Sequence, residues 1–234
     1  MPQLAHHARP VHAGRPARPV SRQERSRRTE QTLLDAALNL FRDRGVDAVT
    51  VGDIAAAAGV APATIYRRFG DKAGLLKEAF ASFTESAMHL LDMLPVQAEH
   101  DAVALLADVT TLVMHFSQAN QRLLQSSYAK ALVDPFYEAQ MIGLRRHIIA
   151  TLKRHFMGSA GQIGHPQPEL AIDFALRQAV AMLSARLVTG QLETGSDEMS
   201  DATFLRELMR SLLGYLQIPH SEQAVDQALS ARDL

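Results

Sequence analysis

Apolar side chains recur along this chain at the three-and-four spacing of an α-helix, and no stretch shows the strict alternation of a half-buried strand. From about Thr29, Leu33, Ala37, Leu40 and Phe41 form one face of a first helix, and Gly45 follows as a residue able to end it. Thr50 stands three residues before Asp53, the spacing at which side-chain oxygens accept the orphan amides of a helix start. A second helix is therefore predicted from about Val51 to Ala58. It is short and rich in alanine, with Ile54 as its apolar anchor and Ala55 small enough for another helix to pass. Gly59 supplies the positive φ of a tight turn, Val60 turns back into the core, and Pro62 suits the first turn of a third helix running to Phe69. Ile65 and Phe69 lie four residues apart on its inner face. Asp71 caps a fourth helix.

Beyond Phe80 the pattern stays helical, with breaks predicted at Pro95, at Asp134-Pro135, from Gly158 to Pro168 and from Gly195 to Ser200. After Pro135, Tyr137, Met141, Leu144, Ile148, Leu152 and Phe156 make one core face, while Arg145, Arg146, Lys153 and Arg154 lie elsewhere around the helix. Leu170 to Val188 is apolar on more than one side. The last strong helix, about Ala202 to Gln217, carries a wider apolar band than one core face requires.

Composition sharpens this picture. The 234 residues are 47% hydrophobic, enough for one or two helical domains, and no apolar run approaches the roughly 20 residues that span a bilayer. Cysteine is absent, which excludes disulfides, a thiolate nucleophile and cysteine-ligated zinc, and makes a cytoplasmic location the expectation. The net charge of -1 conceals a division: residues 1–80 carry 13 basic and 8 acidic side chains, residues 81–234 carry 11 and 17. That asymmetry suits a polyanion-binding head on an acidic body; chance unevenness is the alternative. Residues 1–28 hold seven arginines against one acid and have almost no large apolar side chains, so they read as a disordered arm. It lacks the apolar stretch of a signal peptide. Such an arm adds phosphate or minor-groove contacts beside a DNA-binding domain; a solvated tail and an organelle transit peptide are the alternatives.

The helices from Thr50 to Phe69 have the make-up of a helix-turn-helix. On the outer face of the third, Ala63, Thr64, Tyr66 and Arg67 combine small residues for close approach with hydroxyl and guanidinium donors, while Lys72 sits at the next helix start, where a phosphate is already attracted. The stretch TVGDIAAAAGVAPATIYRRFGDKAGLL, Thr50 to Leu76, closely resembles the TetR family of bacterial transcription regulators in its Ile-Ala pair, its Gly-Val, its Thr-x-Tyr-x-x-Phe helix and the lysine with paired leucines that follows. The resemblance is detailed from about Thr29 to Phe80. It implies phosphate contacts from Thr50, Thr64, Tyr66 and Lys72 and base contacts from Ala61, Pro62, Ala63 and Arg67. Ala61 and Ala63 depart from the polar or glycine residues frequent in the family, which leaves direct readout mainly to Arg67 and to apolar contact with thymine methyls.

The same resemblance implies a homodimer formed by the last two helices, with Ala175, Ala179, Leu183, Leu205, Leu208, Met209 and Leu212 at the interface; burial of both helices in a larger monomeric core is the alternative. It also implies a pocket for a small-molecule effector in the helices between. Met88, Met114, Phe116, Tyr128, Phe136, Met141 and Met182 are candidate lining, because flexible and aromatic side chains suit an irregular apolar cavity, and His115, His147 and Gln178 are candidate polar anchors. Ordinary core packing accounts for each of these as well.

No metal site or cofactor is expected: three of the ten histidines fall in the arm, and His147 and His155 are about 12 Å apart by helical rise. No phosphate loop, nucleophile elbow or dinucleotide fingerprint occurs, so no enzyme is expected. The reading is an all-α protein comprising a disordered arm (1–28), a three-helix helix-turn-helix DNA-binding domain (29–75), a helical effector-binding and dimerisation domain (76–218) and a C-terminal tail (219–234). Its partners would be a palindromic double-stranded DNA operator, a small-molecule effector and a second copy, and not a membrane. Release of a repressor by the effector is the expected action; a DNA-binding module without an effector, or a hydrolytic helical body, is the alternative.

Overall fold

The computed structural model describes residues 21–93, 101–189 and 199–232, so most of the arm and the breaks at Pro95 and from Gly195 to Glu198 lie outside the described residues. Within them the fold is all-α, with no strand: α1 (Arg22–Arg44), α2 (Val51–Ala57), α3 (Pro62–Phe69), α4 (Lys72–Asp92), α5 (Ala102–Ala119), α6 (Gln121–Ala131), α7 (Pro135–Met157), α8 (Pro168–Thr189), α9 (Asp201–Leu216) and α10 (Glu222–Ser230). One 3-10 turn, Ala160–Gln162, interrupts the connection between α7 and α8.

Two corrections concern the ends. Residues 22–28, assigned to the arm, are the first two turns of α1: Ser21 accepts from the Glu24 amide at 3.1 Å and the Glu24 carboxylate accepts from the Ser21 amide at 2.8 Å. Arginine is a good helix former, so a capped start outweighs the polar composition. The predicted tail holds α10, whose Val225 and Leu229 join the body core; Arg206–Asp226 and Arg232–Asp108 pairs flank it.

Two clusters of buried side chains organise the chain. The first gathers α1, α2, α3 and α4 around Phe41, Ile54, Ile65, Leu75 and Phe80, all fully buried, and it is completed by Leu123 and Leu124 of α6 and by Tyr137 and Met141 of α7. The second packs α5, the C-terminal half of α7, α8, α9 and α10. Ala175, Ala179, Leu183, Leu205, Leu208, Met209 and Leu212 all belong to this second cluster, each no more than 3% exposed. The residues expected at the dimer interface are therefore part of the monomer's own core. Both faces of α8 are apolar, and periodicity alone does not tell which one turns inward. The outward face carries Leu170, Phe174 and Met182.

Helix α5 is apolar and, at 18 residues, long enough by composition to cross a membrane, yet more than half of it is buried against its neighbours, as in a core helix. Its end at Asn120 was not anticipated. The Asn120 side chain donates to the Phe116 carbonyl at 2.8 Å and accepts from Arg42 Nε at 2.7 Å, which ties α5 to α1 where α6 departs.

Local chemistry fixes the short helices. Thr50 and Asp53 form a reciprocal capping box, and Gly59 takes φ 66° between α2 and α3. Asp71 caps α4 by accepting from the Gly74 amide at 2.7 Å. Gly74 has a second role: a Cβ there would overlap the Phe69 carbonyl oxygen, so only glycine lets α4 start so close to the end of α3. Gly74→Ala is expected to cost about 1–3 kcal/mol in urea unfolding, whereas Leu132→Ala, at an exposed position, stays within about 0.5 kcal/mol.

The Asp53 carboxyl is held below its ordinary 3.8 chiefly by the Thr50 hydroxyl, then by the Thr50 amide, opposed by slight desolvation. A pKa lowered on folding means the cap's contribution is complete above the unfolded value and is lost as pH falls through the folded one. An NMR titration of Asp53 should therefore give a midpoint below 3.8; a midpoint at or above it would remove the carboxylate from the cap.

Candidate nucleic-acid interface and body cavity

Ile65, fully buried, pins α3 against α1 and α2, and the rest of the helix is left to face outward. Ala61, Pro62, Ala63, Tyr66 and Arg67 are exposed, and Thr64 and Lys72 are half-buried. Tyr66 is 53% exposed, so its ring lies outside the core. Among the described residues, Arg67 and Lys72 have no acidic partner within ion-pair distance. Arg68 differs: it donates to Ser26 Oγ at 2.9 Å and to Glu30 at 3.3 Å, so it braces α3 against the early turns of α1. Thr50 also differs from expectation. Its hydroxyl donates to Asp53 Oδ2 at 2.7 Å and accepts from the Asp53 amide, and its own amide donates to the same carboxylate, so its polar groups are committed to the cap. Ala61, Pro62, Ala63, Thr64, Tyr66, Arg67 and Lys72 thus gather on one outward surface of α3 and the start of α4.

The ten candidate pocket residues do not come together. Phe116, Tyr128 and Met141 line a cavity of about 180 Å³ in the body. Met114 is in the second core cluster, His115 is exposed, and Met182 is on the outer face of α8. His147 Nε2 lies 3.0 Å from Asp92 Oδ1, and Gln178 donates to Ser211 at 3.3 Å. Phe136 packs edge-on against Tyr137, with the Lys77 ammonium over its ring, and neither Met88 nor Phe136 lines the cavity. Most of the wall was not anticipated: Leu90 and Leu91 of α4, Leu112 and Val113 of α5, Leu144, Arg145 and Ile148 of α7, and Val180 of α8. The apolar face of α7 was visible in the sequence, but nothing local indicated that it leaves a void.

The cavity lies where the two clusters meet. Leu124 and Met141 belong to the first cluster and Phe116 and Tyr128 pack against it, while Leu152, Val180, Val113 and Ile148 belong to or pack against the second. From the cavity wall, Phe116 stacks on Phe83 of α4 at 5.6 Å between centroids, Phe83 on Phe80 at 5.8 Å, and Phe80 meets Tyr137 at 5.5 Å. Burial, then the charge of Asp134, pushes the Tyr137 phenol up to about 12, so it stays neutral in this apolar setting. Lys77 of α4 pairs with Asp134 at 2.7 Å, and Asp134 caps α7 by accepting from the Phe136 amide.

Comparison with known proteins adds to this geometry. Residues 33–79 match the family described as bacterial regulatory proteins, tetR family. The HTH-type transcriptional regulator AcrR of Shigella flexneri is 34% identical over 101 residues, 42% of this chain and 46% of that protein. The HTH-type transcriptional repressor KstR2 of Rhodococcus jostii is 44% identical over 59 residues, 25% of this chain and 28% of that one. In both, the match spans less than half of the relative's length. A regulator from Saccharomonospora viridis solved in complex with choline shares the fold with TM-score 0.64 and 15% identity, over 83% of this chain and all of that one. Salmonella enterica GusR does so with TM-score 0.56 and 21% identity, over 86% and 100%. The capped helix-turn-helix and the α3 surface turned to solvent fall within the residues that match this family, so the chain carries a TetR-type helix-turn-helix domain.

Proposed function

We propose that the protein is a homodimeric repressor that leaves a palindromic operator when a small molecule fills the cavity of each body. The observation that carries this reading is the position of that cavity between the head's core cluster and the body's. A ligand there changes the packing of Phe116, which stacks on Phe83 of α4, and α4 follows α3 after two residues. Close-packed interiors pass such a change on as a shift between discrete arrangements. The effector lowers DNA affinity by binding more tightly to the arrangement in which the two recognition helices no longer match successive major grooves.

On the operator, Arg67 reads base edges, Ala61, Pro62 and Ala63 allow close approach, and Thr64, Tyr66 and Lys72 hold phosphates. Thr50 acts through the cap that orients α2 rather than through a free hydroxyl. The second copy packs on the outward face of α8, where Leu170 is 57% exposed, Phe174 53% and Met182 39%. Three large apolar side chains on one side of one helix are an unusual exposure for a monomer.

Sequencing of genomic fragments retained by the purified protein should return a recurring inverted repeat; retention without a shared sequence would overturn the reading. On that repeat, Arg67→Ala should lose sequence preference by roughly 1–3 kcal/mol, whereas Lys72→Ala should weaken all sequences alike and flatten the salt dependence. Equal behaviour of the two variants in a salt-titrated binding assay would reject these roles. Phe174→Glu should sediment as a monomer where the wild type sediments as a dimer. Sedimentation of both at the same mass would move the interface elsewhere.

A further inference from the structure

The cavity's chemistry narrows what fills it, an inference that rests on the effector site proposed above. Its wall is Ala, Leu, Ile, Val, Met and Phe, relieved only by the hydroxyls of Ser117, Tyr128 and Ser184 and by one charged side chain, Arg145. Among the described residues, no carboxylate lines it. A cationic ligand would find no counter-ion there and would meet the guanidinium instead, and a neutral ligand would leave the guanidinium without a role. Two other cations on α7 are paired, Lys153 2.9 Å from Glu169 and Arg154 3.4 Å from Asp92, and the neighbouring Arg146 does not line the cavity. Arg145 has no ion-pair partner among the described residues, and it is exposed at the rim.

We propose that the cavity binds an apolar monocarboxylate, with its carboxylate held by the Arg145 guanidinium at the mouth and its hydrocarbon body among Phe116, Leu144, Ile148 and Val180. The planar fork of arginine matches a carboxylate with two parallel hydrogen bonds, which a hydroxyl or an amine on the same hydrocarbon cannot reproduce. The mouth suits such a molecule. Leu90 and Leu112 are 63% and 41% exposed, a greasy sill beside the cation. The volume sets the scale of the apolar body: about 180 Å³ is a little more than the roughly 150 Å³ of an engineered cavity that holds benzene, so it takes one ring or a chain of similar bulk.

The test is isothermal titration calorimetry of the full chain with three probes that share one hydrocarbon: octanoate, 1-octanol and octylammonium, each below its aggregation threshold. Octanoate should bind the wild type more tightly than either of the others. Arg145→Gln should weaken octanoate by about tenfold or more and leave 1-octanol within about twofold, because only a charge-assisted contact is removed. Arg145 is exposed, so the variant is expected to fold; an unchanged thermal melt establishes that, and Arg145→Lys, which keeps the charge without the fork, should fall between the two. Equal octanoate affinity in wild type and Arg145→Gln, octylammonium binding as tight as octanoate, or no binding of any probe would overturn the proposal. Octanoate binding that depends on Arg145 but leaves operator affinity unchanged would support this site and remove the effector-release reading. Operator release by a ligand indifferent to Arg145 would do the reverse.

Discussion

The first three helices and the start of α4 carry more apolar surface than they can cover by themselves. Leu34, Leu38 and Phe41 of α1 and Phe80 and Phe83 of α4 are all at most 7% exposed, and this is achieved only because α6 and α7 lay Leu123, Leu124, Tyr137 and Met141 across them. The head therefore finishes its core with side chains that belong to the body. Polar contacts follow the same boundary: Arg42 of α1 reaches Asn120, and Lys77 of α4 pairs with Asp134 at the start of α7. Buried apolar area supplies most of the stabilisation and these polar contacts fix the register, since each exposed pair contributes little alone.

Two consequences follow for function. The recognition surface is passive in shape and active in chemistry: Ile54, Ala55, Gly59, Ile65 and Gly74 determine where α3 lies, and none of them offers a donor to DNA. The residues that face outward contribute almost nothing to the core, so they are free to vary with the operator. The cavity, in turn, is a defect in the packing between head and body. A small ligand in a void at that boundary touches both clusters at once, which is why its position carries more functional weight than its size.

How much of this was legible in the sequence depended on the range of the forces involved. The Thr50–Asp53 cap, the Gly59 turn, the bounds of α3 and the Asp71 cap are local chemistry within a few residues, and each occurs in the structure where the spacing indicates. The start of α1 was masked by composition: an arginine-rich run reads as solvated, and the Ser21–Glu24 box that begins the helix is a signal only if sought there. Gly74 stands in the motif, but the Phe69 carbonyl that excludes any larger residue is a feature of the folded turn. The interface residues on α8 and α9 failed for a different reason. A helix apolar on two sides gives no indication of which side meets its own chain, and the side with the alanines turned inward. Seven of the ten pocket candidates failed because a cavity is a property of how α4, α5, α7 and α8 meet, not of any one of them.

The central claim is that head and body form one cooperative unit through their shared cluster. Native-state hydrogen exchange tests it most directly. The slowest amides of α1 and α4 should open with the same free energy as those of α6 and the first turns of α7, and Leu124→Ala, although it lies on α6, should lower all of them together. If α1 and α4 kept their protection while α6 alone lost it, the head would be complete without the body, and the account of how a ligand in the cavity reaches α3 would be contradicted.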